Sequence, residues 1–250
     1  MTIPIRHVLL DIEGTTCPVR FVSETLFPYA AERMAGFLQT RGEESTVREL
    51  VAQVVQAWRD DPHPTAQALW QVASGHASSA SSVLPYLRWL IEEDRKLTPL
   101  KDLQGLIWEE GYASGALQGP LYPDVAPALR RWRQAGLDLA VYSSGSVRAQ
   151  QLIYGHSNAG DLRGLFQHWF DTRIGSKQES ASYHQIVRLL GAQAGSVLFI
   201  SDSIPELKAA TASGLAVRLC DRGDSPTGAM ASEGFPVIQS FDGLNPDLGI

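Results

Sequence analysis

Short apolar runs bounded by turn residues alternate along this chain with longer stretches in which apolar side chains recur every three or four positions. Val8-Leu9-Leu10 is the first such run. It is too short for a helix, and Gly14, Thr15 and Thr16 turn the chain soon after it, so a buried strand is expected. Helical spacing then takes over. Ser23 is the expected N-cap of a helix carrying Leu26, Tyr29, Ala30, Met34, Phe37 and Leu38 and ending near Gly42, with Pro28 in its early part where proline is tolerated. A second amphipathic segment runs from Ser45 to Trp58 and is broken by Asp60, Asp61, Pro62, His63 and Pro64. A short helix over Ala66–Val72, a small-residue loop over Ser74–Ser82, and helices over Val83–Lys96 and Leu100–Tyr112 follow, closed by Gly115 and Gly119-Pro120.

The second half changes pattern. Strands are expected at Leu137–Tyr142, at the end of Phe170-Asp171, and at Val197–Ile200, Leu215–Leu219 and Pro236–Ile238. Helices are expected between them, at Pro123–Ala135, Val147–Tyr154, Glu179–Leu190 and Ile204–Ser213. Strands alternating with helices predict an α/β fold with a doubly wound parallel sheet. Residues 17–119 are far too long for a loop, so they are expected to form a helical domain inserted into a core made of 1–16 and 120–250.

Composition narrows the function classes. A formal charge of -6 with no basic stripe argues against a nucleic-acid or anionic-membrane partner. No apolar run is long enough to span a bilayer, and the first residues enter a strand with no signal-peptide pattern. Cys17 and Cys220 are too few for a disulfide framework or a thiolate metal site, so a reduced, cytoplasmic protein is expected, with a monomer as the default. The scattered histidines (His7, His63, His76, His156, His168, His184) form no metal cluster, and the aromatics of the helical segment read as packing residues.

The chemistry lies at the strand ends. In a parallel sheet, ligands bind at the carboxyl edge. Strand alternation would put Asp11 and Glu13 on one side with Ile12 facing away. Two carboxylates that close repel unless a cation lies between them, which suggests a hard divalent metal with oxygen ligands. The later strand ends carry Ser143, Ser144 and Gly145; then Gly175-Ser176-Lys177 ahead of a helix; then Ser201-Asp202-Ser203, with Glu206 one turn on. Each has a bland reading: an acidic turn, a turn-forming serine, a solvated lysine, an aspartate N-cap. Together they give acid, hydroxyl, ammonium and acid on one edge, a set suited to phosphoryl transfer in which a carboxylate attacks phosphorus while a metal, a lysine and hydrogen-bond donors neutralise its oxygens.

These segments resemble the haloacid dehalogenase superfamily. Within it, D-I-E-G-T-T (Asp11–Thr16), Y-S-S-G-S-V (Tyr142–Val147) and F-D-T-R-I-G-S-K-Q-E-S-A-S-Y (Phe170–Tyr183) resemble the enolase-phosphatases (acireductone synthases) of methionine salvage. Gly115–Val125 and Gly155–Ser157 support the match, which spans nearly the whole chain. The resemblance implies a haloacid dehalogenase-like core with the helical insertion as a cap that closes over the substrate's tail. It implies one Mg²⁺ per subunit, with Asp11 as ligand and as the nucleophile that becomes phosphorylated, and Asp202 completing the metal site. Glu13 would be a second ligand or a general acid/base. Ser143 and Ser144 would bind the substrate phosphate or neighbouring oxygens, Lys177 would stabilise phosphoryl charge, and Glu206 would hold Lys177 or a metal-bound water. The implied substrate is 2,3-diketo-5-methylthiopentyl 1-phosphate, enolised and then dephosphorylated to 1,2-dihydroxy-3-keto-5-methylthiopentene.

A capped phosphatase acting on another small phosphate ester would carry the same phosphoryl site and lack the enolase step. A receiver-type phosphoacceptor module also uses acids, a hydroxyl and a lysine on a parallel sheet, but its phosphorylated Asp sits on a later strand and no helical insertion follows the first one. A nucleotide-binding Rossmann domain is disfavoured, since no G-x-G-x-x-G follows the first strand.

Overall fold

The structure, a computed structural model, describes residues 3–73, 80–93, 95–223 and 232–245. The chain divides into two compact units: residues 1–21 with 118–250, and residues 22–117.

The first unit is built on a parallel sheet of β1 (His7–Leu10), β2 (Asp138–Tyr142), β3 (Phe166–Phe170), β4 (Val197–Ser201), β5 (Ala216–Cys220) and β6 (Val237–Ile238) in the order β3-β2-β1-β4-β5-β6. β1 lies centrally, with Leu9 level with Ala140 of β2 and Phe199 of β4. Val8, Leu9 and Leu10 are all fully buried, as expected of a strand covered on both faces, and this is why the run shows no polar alternation. On one face Leu9, Tyr142, Phe170 and Phe199 pack against Tyr183, Ile186, Leu207 and Ala210. The helices of this unit are α1 (Val19–Phe21), α7 (Val125–Gln134), α8 (Val147–Gly155), α9 (Ser180–Leu189) and α10 (Ile204–Ala212), numbered in chain order with those of the second unit.

That second unit contains α2 (Phe27–Arg41), α3 (Ser45–Asp60), α4 (Pro64–Val72), α5 (Leu84–Glu92) and α6 (Thr98–Ala113). Its core is aromatic. Trp58 stacks on Tyr86 with centroids 5.1 Å apart, meets Trp70 edge-on, and donates its indole N–H to Ala66 O at 2.9 Å. Asp61, buried where α3 ends, accepts from Tyr86 Oη (2.9 Å), Arg95 Nη1 (2.6 Å) and the His63 N–H (3.0 Å). His63 in turn caps α4, its Nδ1 accepting from the Thr65 N–H.

Two expectations are corrected. Ser23 does not cap a helix: helical structure begins at Val19, and Ser23 lies inside a π turn over Val22–Leu26 that leads into α2. Pro28 has no N–H to return to the Glu24 carbonyl, which interrupts the regular ladder just where the wider turn sits. The helix expected over Val83–Lys96 is a 3₁₀ turn (Ala80–Val83) followed by the shorter α5, ending before Asp94, which lies outside the described residues. The loop over Ser74–Ser82 and His76 fall wholly or partly outside them too.

Candidate active site

Asp11 follows β1 directly, at the carboxyl edge between β2 and β4. Sheet order reverses around β1, and such switch points open the crevice in which ligands bind. The Asp11 N–H still donates to Ile200 O (3.0 Å), but regular pairing stops at Leu10. Asp11 and Glu13 are therefore placed by a turn and not by strand alternation. The N–H groups of Thr15, Thr16 and Cys17 converge on the Ile12 carbonyl at 3.2, 2.9 and 2.9 Å. Gly14 enters the left-handed region at φ 69° and lies against the side chain of Asp202: a Cβ on Gly14 would fall 2.5 Å from Asp202 Cγ. Thr16 Oγ1 donates to Asp11 O (3.2 Å) and lies 2.8 Å from the Tyr154 hydroxyl.

Lys177 comes from the loop between β3 and α9. Its Nζ lies 2.7 Å from Asp11 Oδ1 and 2.7 Å from Glu206 Oε2, with the side chain almost wholly buried. Ser201, at the end of β4, reaches the other oxygen of Asp11 (Oδ2, 2.9 Å) and Glu206 Oε2 (3.1 Å), and its Oγ accepts the Ser203 N–H (3.1 Å). The loop that presents Lys177 is held by three hydroxyls on successive carbonyls: Tyr142 donates to Gly175 O (3.0 Å), Ser182 to Ser176 O (2.7 Å) and Tyr183 to Lys177 O (2.7 Å). Gly175 has φ 139°, and a Cβ there would overlap Ser182 Oγ.

Ser143 is buried at the end of β2, its N–H donating to Phe170 O (3.2 Å) and its Oγ accepting from the Gly145 N–H (3.3 Å). Gln150 Nε2 fixes this loop by donating to Gly145 O and Phe170 O, each at 2.8 Å. Ser146 caps α8, and Ser144 beside it is exposed. Asp202 does not cap α10; the cap position is Ser203, whose side chain makes no capping bond.

The electrostatics follow from crowding acids beside one ammonium. Burial pulls Lys177 down, but Asp11 and Glu206 outweigh it and hold the ammonium above its usual pKa. Burial, then Asp11, push Glu206 up to about 7 against the pull of Lys177 and Ser201. Burial, then Asp11, push Asp202 up to about 7 as well, with Glu13 adding to the rise. Glu13 is partly exposed, and burial, then Glu13, push the Cys17 thiol up to about 12. Among the described residues no three His, Cys, Asp or Glu side chains close into a ready-made metal cage. The donor chemistry nevertheless fits a hard divalent cation: Asp11, Asp202 and Glu13 supply oxygen only.

The structure thus brings Asp11, Lys177 and Glu206 into direct contact, sets Asp202 against the Asp11–Gly14 turn, and leaves Ser144 at the surface. Sequence reasoning passed over Ser201, Tyr142, Ser182, Tyr183, Thr16 and Gln150 as site-building residues. Most of them lie inside the motifs quoted above, but as buried tyrosines, a helix serine and a turn threonine they read as core and turn formers.

A model of haloacid dehalogenase-like hydrolases matches residues 5–214. The chain is 48% identical to the "Enolase-phosphatase E1" of Synechococcus sp. (strain RCC307), covering 97% of this chain and 95% of that one. It is 47% identical to the "Enolase-phosphatase E1" of Gluconacetobacter diazotrophicus over 95% and 92% of the two chains. Among solved structures it matches the UTR4 protein of Saccharomyces cerevisiae with TM-score 0.71 and 34% identity, covering 96% of this chain and all of that one. The chain belongs to the haloacid dehalogenase-like hydrolases and, within them, to the enolase-phosphatase E1 family.

Proposed function

We infer that this protein is the enolase-phosphatase of methionine salvage, converting 2,3-diketo-5-methylthiopentyl 1-phosphate into 1,2-dihydroxy-3-keto-5-methylthiopentene and phosphate. The observation that carries the phosphoryl half is the buried contact of Lys177 Nζ with Asp11 Oδ1 at 2.7 Å. An ammonium held there neutralises phosphoryl oxygens next to the carboxylate that attacks.

The first step removes a proton from the phosphate-bearing carbon and places one on the adjacent ketone oxygen, giving the enol phosphate. Glu13, on the turn next to Asp11 and one methylene longer than Asp, is assigned the acid/base role. In the second step an Asp11 oxygen forms a bond to phosphorus and the ester P–O bond breaks, with the leaving oxygen taking a proton. Water then attacks the aspartyl phosphate, releasing phosphate and restoring the Asp11 carboxylate. Ser143, with the amides of its rigid loop, is assigned to the phosphate oxygens and Ser144 to their neighbours. Glu206 holds Lys177. Asp11, Asp202 and Glu13 would hold one Mg²⁺, whose charge offsets that of the phosphoryl group and of the developing enolate. Residues 22–117 are assigned the role of a cap domain. Among the described residues no helix is long and apolar enough to cross a membrane, and we assign the enzyme to the cytoplasm as a monomer.

The test follows ultraviolet absorbance and phosphate release together on the diketo phosphate ester with Mg²⁺. Enol absorbance and free phosphate should both appear, and both should vanish with chelator. An inert diketo ester beside efficient hydrolysis of simple phosphate esters would overturn the enolase assignment. Glu13→Gln should slow enol formation, and unchanged rates in both steps would remove Glu13 from its role.

A further inference from the structure

Arg222 lies just beyond β5, more than two hundred positions along the chain from the turn that carries Asp11 and Glu13, yet its guanidinium is spent on that turn. Nε and Nη2 both donate to the Thr15 carbonyl, at 2.9 and 2.7 Å. Nη1 donates to Asp124 Oδ2 at 2.8 Å and to Gln239 O at 3.2 Å. The group also lies over the rings of Tyr122 and Phe241, 4.5 and 4.7 Å from their centroids. Asp124 is fixed in turn by the Phe241 N–H at 2.6 Å, and the Arg222 side chain is only 5% exposed.

The grip is directional. Thr15 follows Gly14, whose backbone abuts Asp202, and precedes Thr16, whose hydroxyl donates to the Asp11 carbonyl and whose own carbonyl accepts the Tyr122 N–H at 3.1 Å. Moving the Thr15 carbonyl therefore moves the spacing between Asp11 and Asp202. A planar fork with two donors on one oxygen and a third on a carboxylate defines the position and the tilt of that peptide; a lysine ammonium in the same place could hold the oxygen but not set the tilt.

We propose that Arg222, seated by Asp124, Tyr122 and Phe241, is a positioning residue for phosphoryl transfer: it clamps the Thr15 carbonyl and so sets the turn that aims Asp11. Arg222 touches no reacting atom, so it acts on the chemical step and not on substrate affinity. The inference rests on the phosphoryl-transfer reading above, but not on the diketo substrate.

Kinetics with p-nitrophenyl phosphate and Mg²⁺ test it on the full chain. Arg222→Ala and Arg222→Met should lose on the order of 10²-fold in kcat with KM changed by less than about threefold, the scale expected of a misplaced reacting group. Arg222 lines a surface cavity of about 430 Å³ with Tyr122, Asp124 and Gln239, which gives a small ligand a route to the vacated position in Arg222→Ala. Ethylguanidinium at millimolar concentration should restore kcat in that variant, and ethylammonium, which lacks the planar fork, should not. Arg222→Lys should lie between Arg222→Met and the wild type. If Arg222→Ala fails to fold, Arg222→Lys decides alone: full kcat there overturns the inference. Wild-type kcat in Arg222→Met, or equal rescue by the two cations, overturns it as well. A wild type inert on both p-nitrophenyl phosphate and the diketo phosphate ester would instead overturn the phosphatase reading, so the two failures are distinguishable.

Discussion

Gly14→Ala separates a cost to the fold from a cost to the chemistry. Gly14 sits at φ 69°, where an L side chain costs about 1–2 kcal/mol. An added Cβ would also lie 2.5 Å from Asp202 Cγ and 3.1 Å from Asp202 Cβ, so the whole Asp202 side chain must swing away and not only its tip. Displacing one side chain from its rotamer adds about 0.5–1.5 kcal/mol. Gly136 supplies the control. It has φ 83° and open space where its Cβ would go, so Gly136→Ala carries the backbone cost alone. Urea unfolding should therefore show Gly14→Ala destabilised by about 1.5–3.5 kcal/mol and Gly136→Ala by about 1–2 kcal/mol. Activity should diverge far more. With Asp202 as a metal ligand, as proposed, its displacement should cost Gly14→Ala on the order of 10²-fold in kcat, which is about 2.7 kcal/mol of barrier. It should also move the Mg²⁺ concentration for half-maximal activity upward, while Gly136→Ala keeps wild-type values of both. If the two variants show the same kcat and the same Mg²⁺ dependence, Asp202 has no part in the site and the contact at Gly14 is packing alone.

Two further outcomes follow from the geometry. Tyr183→Phe removes the only proton its side chain can donate to the Lys177 carbonyl and leaves the buried ring in place; stability should fall by about 1 kcal/mol, and kcat on p-nitrophenyl phosphate should fall by roughly tenfold as the Lys177 ammonium loses its fixed approach to Asp11, so an unchanged kcat would show that Ser182 and Tyr142 suffice. Acid stability should be limited by Asp61 and Asp124. Burial pushes both carboxyls up, but the His63 N–H with Arg95 and Tyr86 at Asp61, and the Phe241 N–H with Arg222 at Asp124, outweigh it and hold both below the usual range. The unfolded chain then binds protons more readily than the native one, so their stabilising contribution is complete above about pH 4 and is lost as pH falls through the native values. Urea midpoints measured downward from pH 6 should drop below pH 4, and the drop should be shallower in Asp61→Asn; equal slopes in the two proteins would remove Asp61 from the explanation.

How much of this was legible in the chain depends on whether a residue acts through its type and local spacing or through an approach made elsewhere. Asp11 and Asp202 could be named because short apolar runs end at or just before them, and Lys177 because it stands just ahead of an expected helix; a parallel sheet carries every such connection to one edge. The central strand, the alternation of strands with helices and the long helical insertion could be read for the same reason: burial on both faces leaves a continuous apolar run, and amphipathic helices leave a period. Other features leave no such trace. The three hydroxyls that hold the Lys177 loop sit in positions whose burial alone explains a tyrosine or a serine, and their acceptors are backbone carbonyls, which every residue has. Ser201 reads in the sequence only as a strand terminus, and its contacts with Asp11 and Glu206 come from elements far along the chain or a turn further on. Arg222 is the extreme case, because its main partner is one carbonyl oxygen on a turn that only the completed sheet brings within reach. Local pattern announces the groups that do chemistry, since their type is demanding. The groups that aim them are recognised by hydrogen bonds to the main chain, and this asymmetry makes Tyr183 and Arg222, not further acids near Asp11, the places where single substitutions are the sharper test of how the site is assembled.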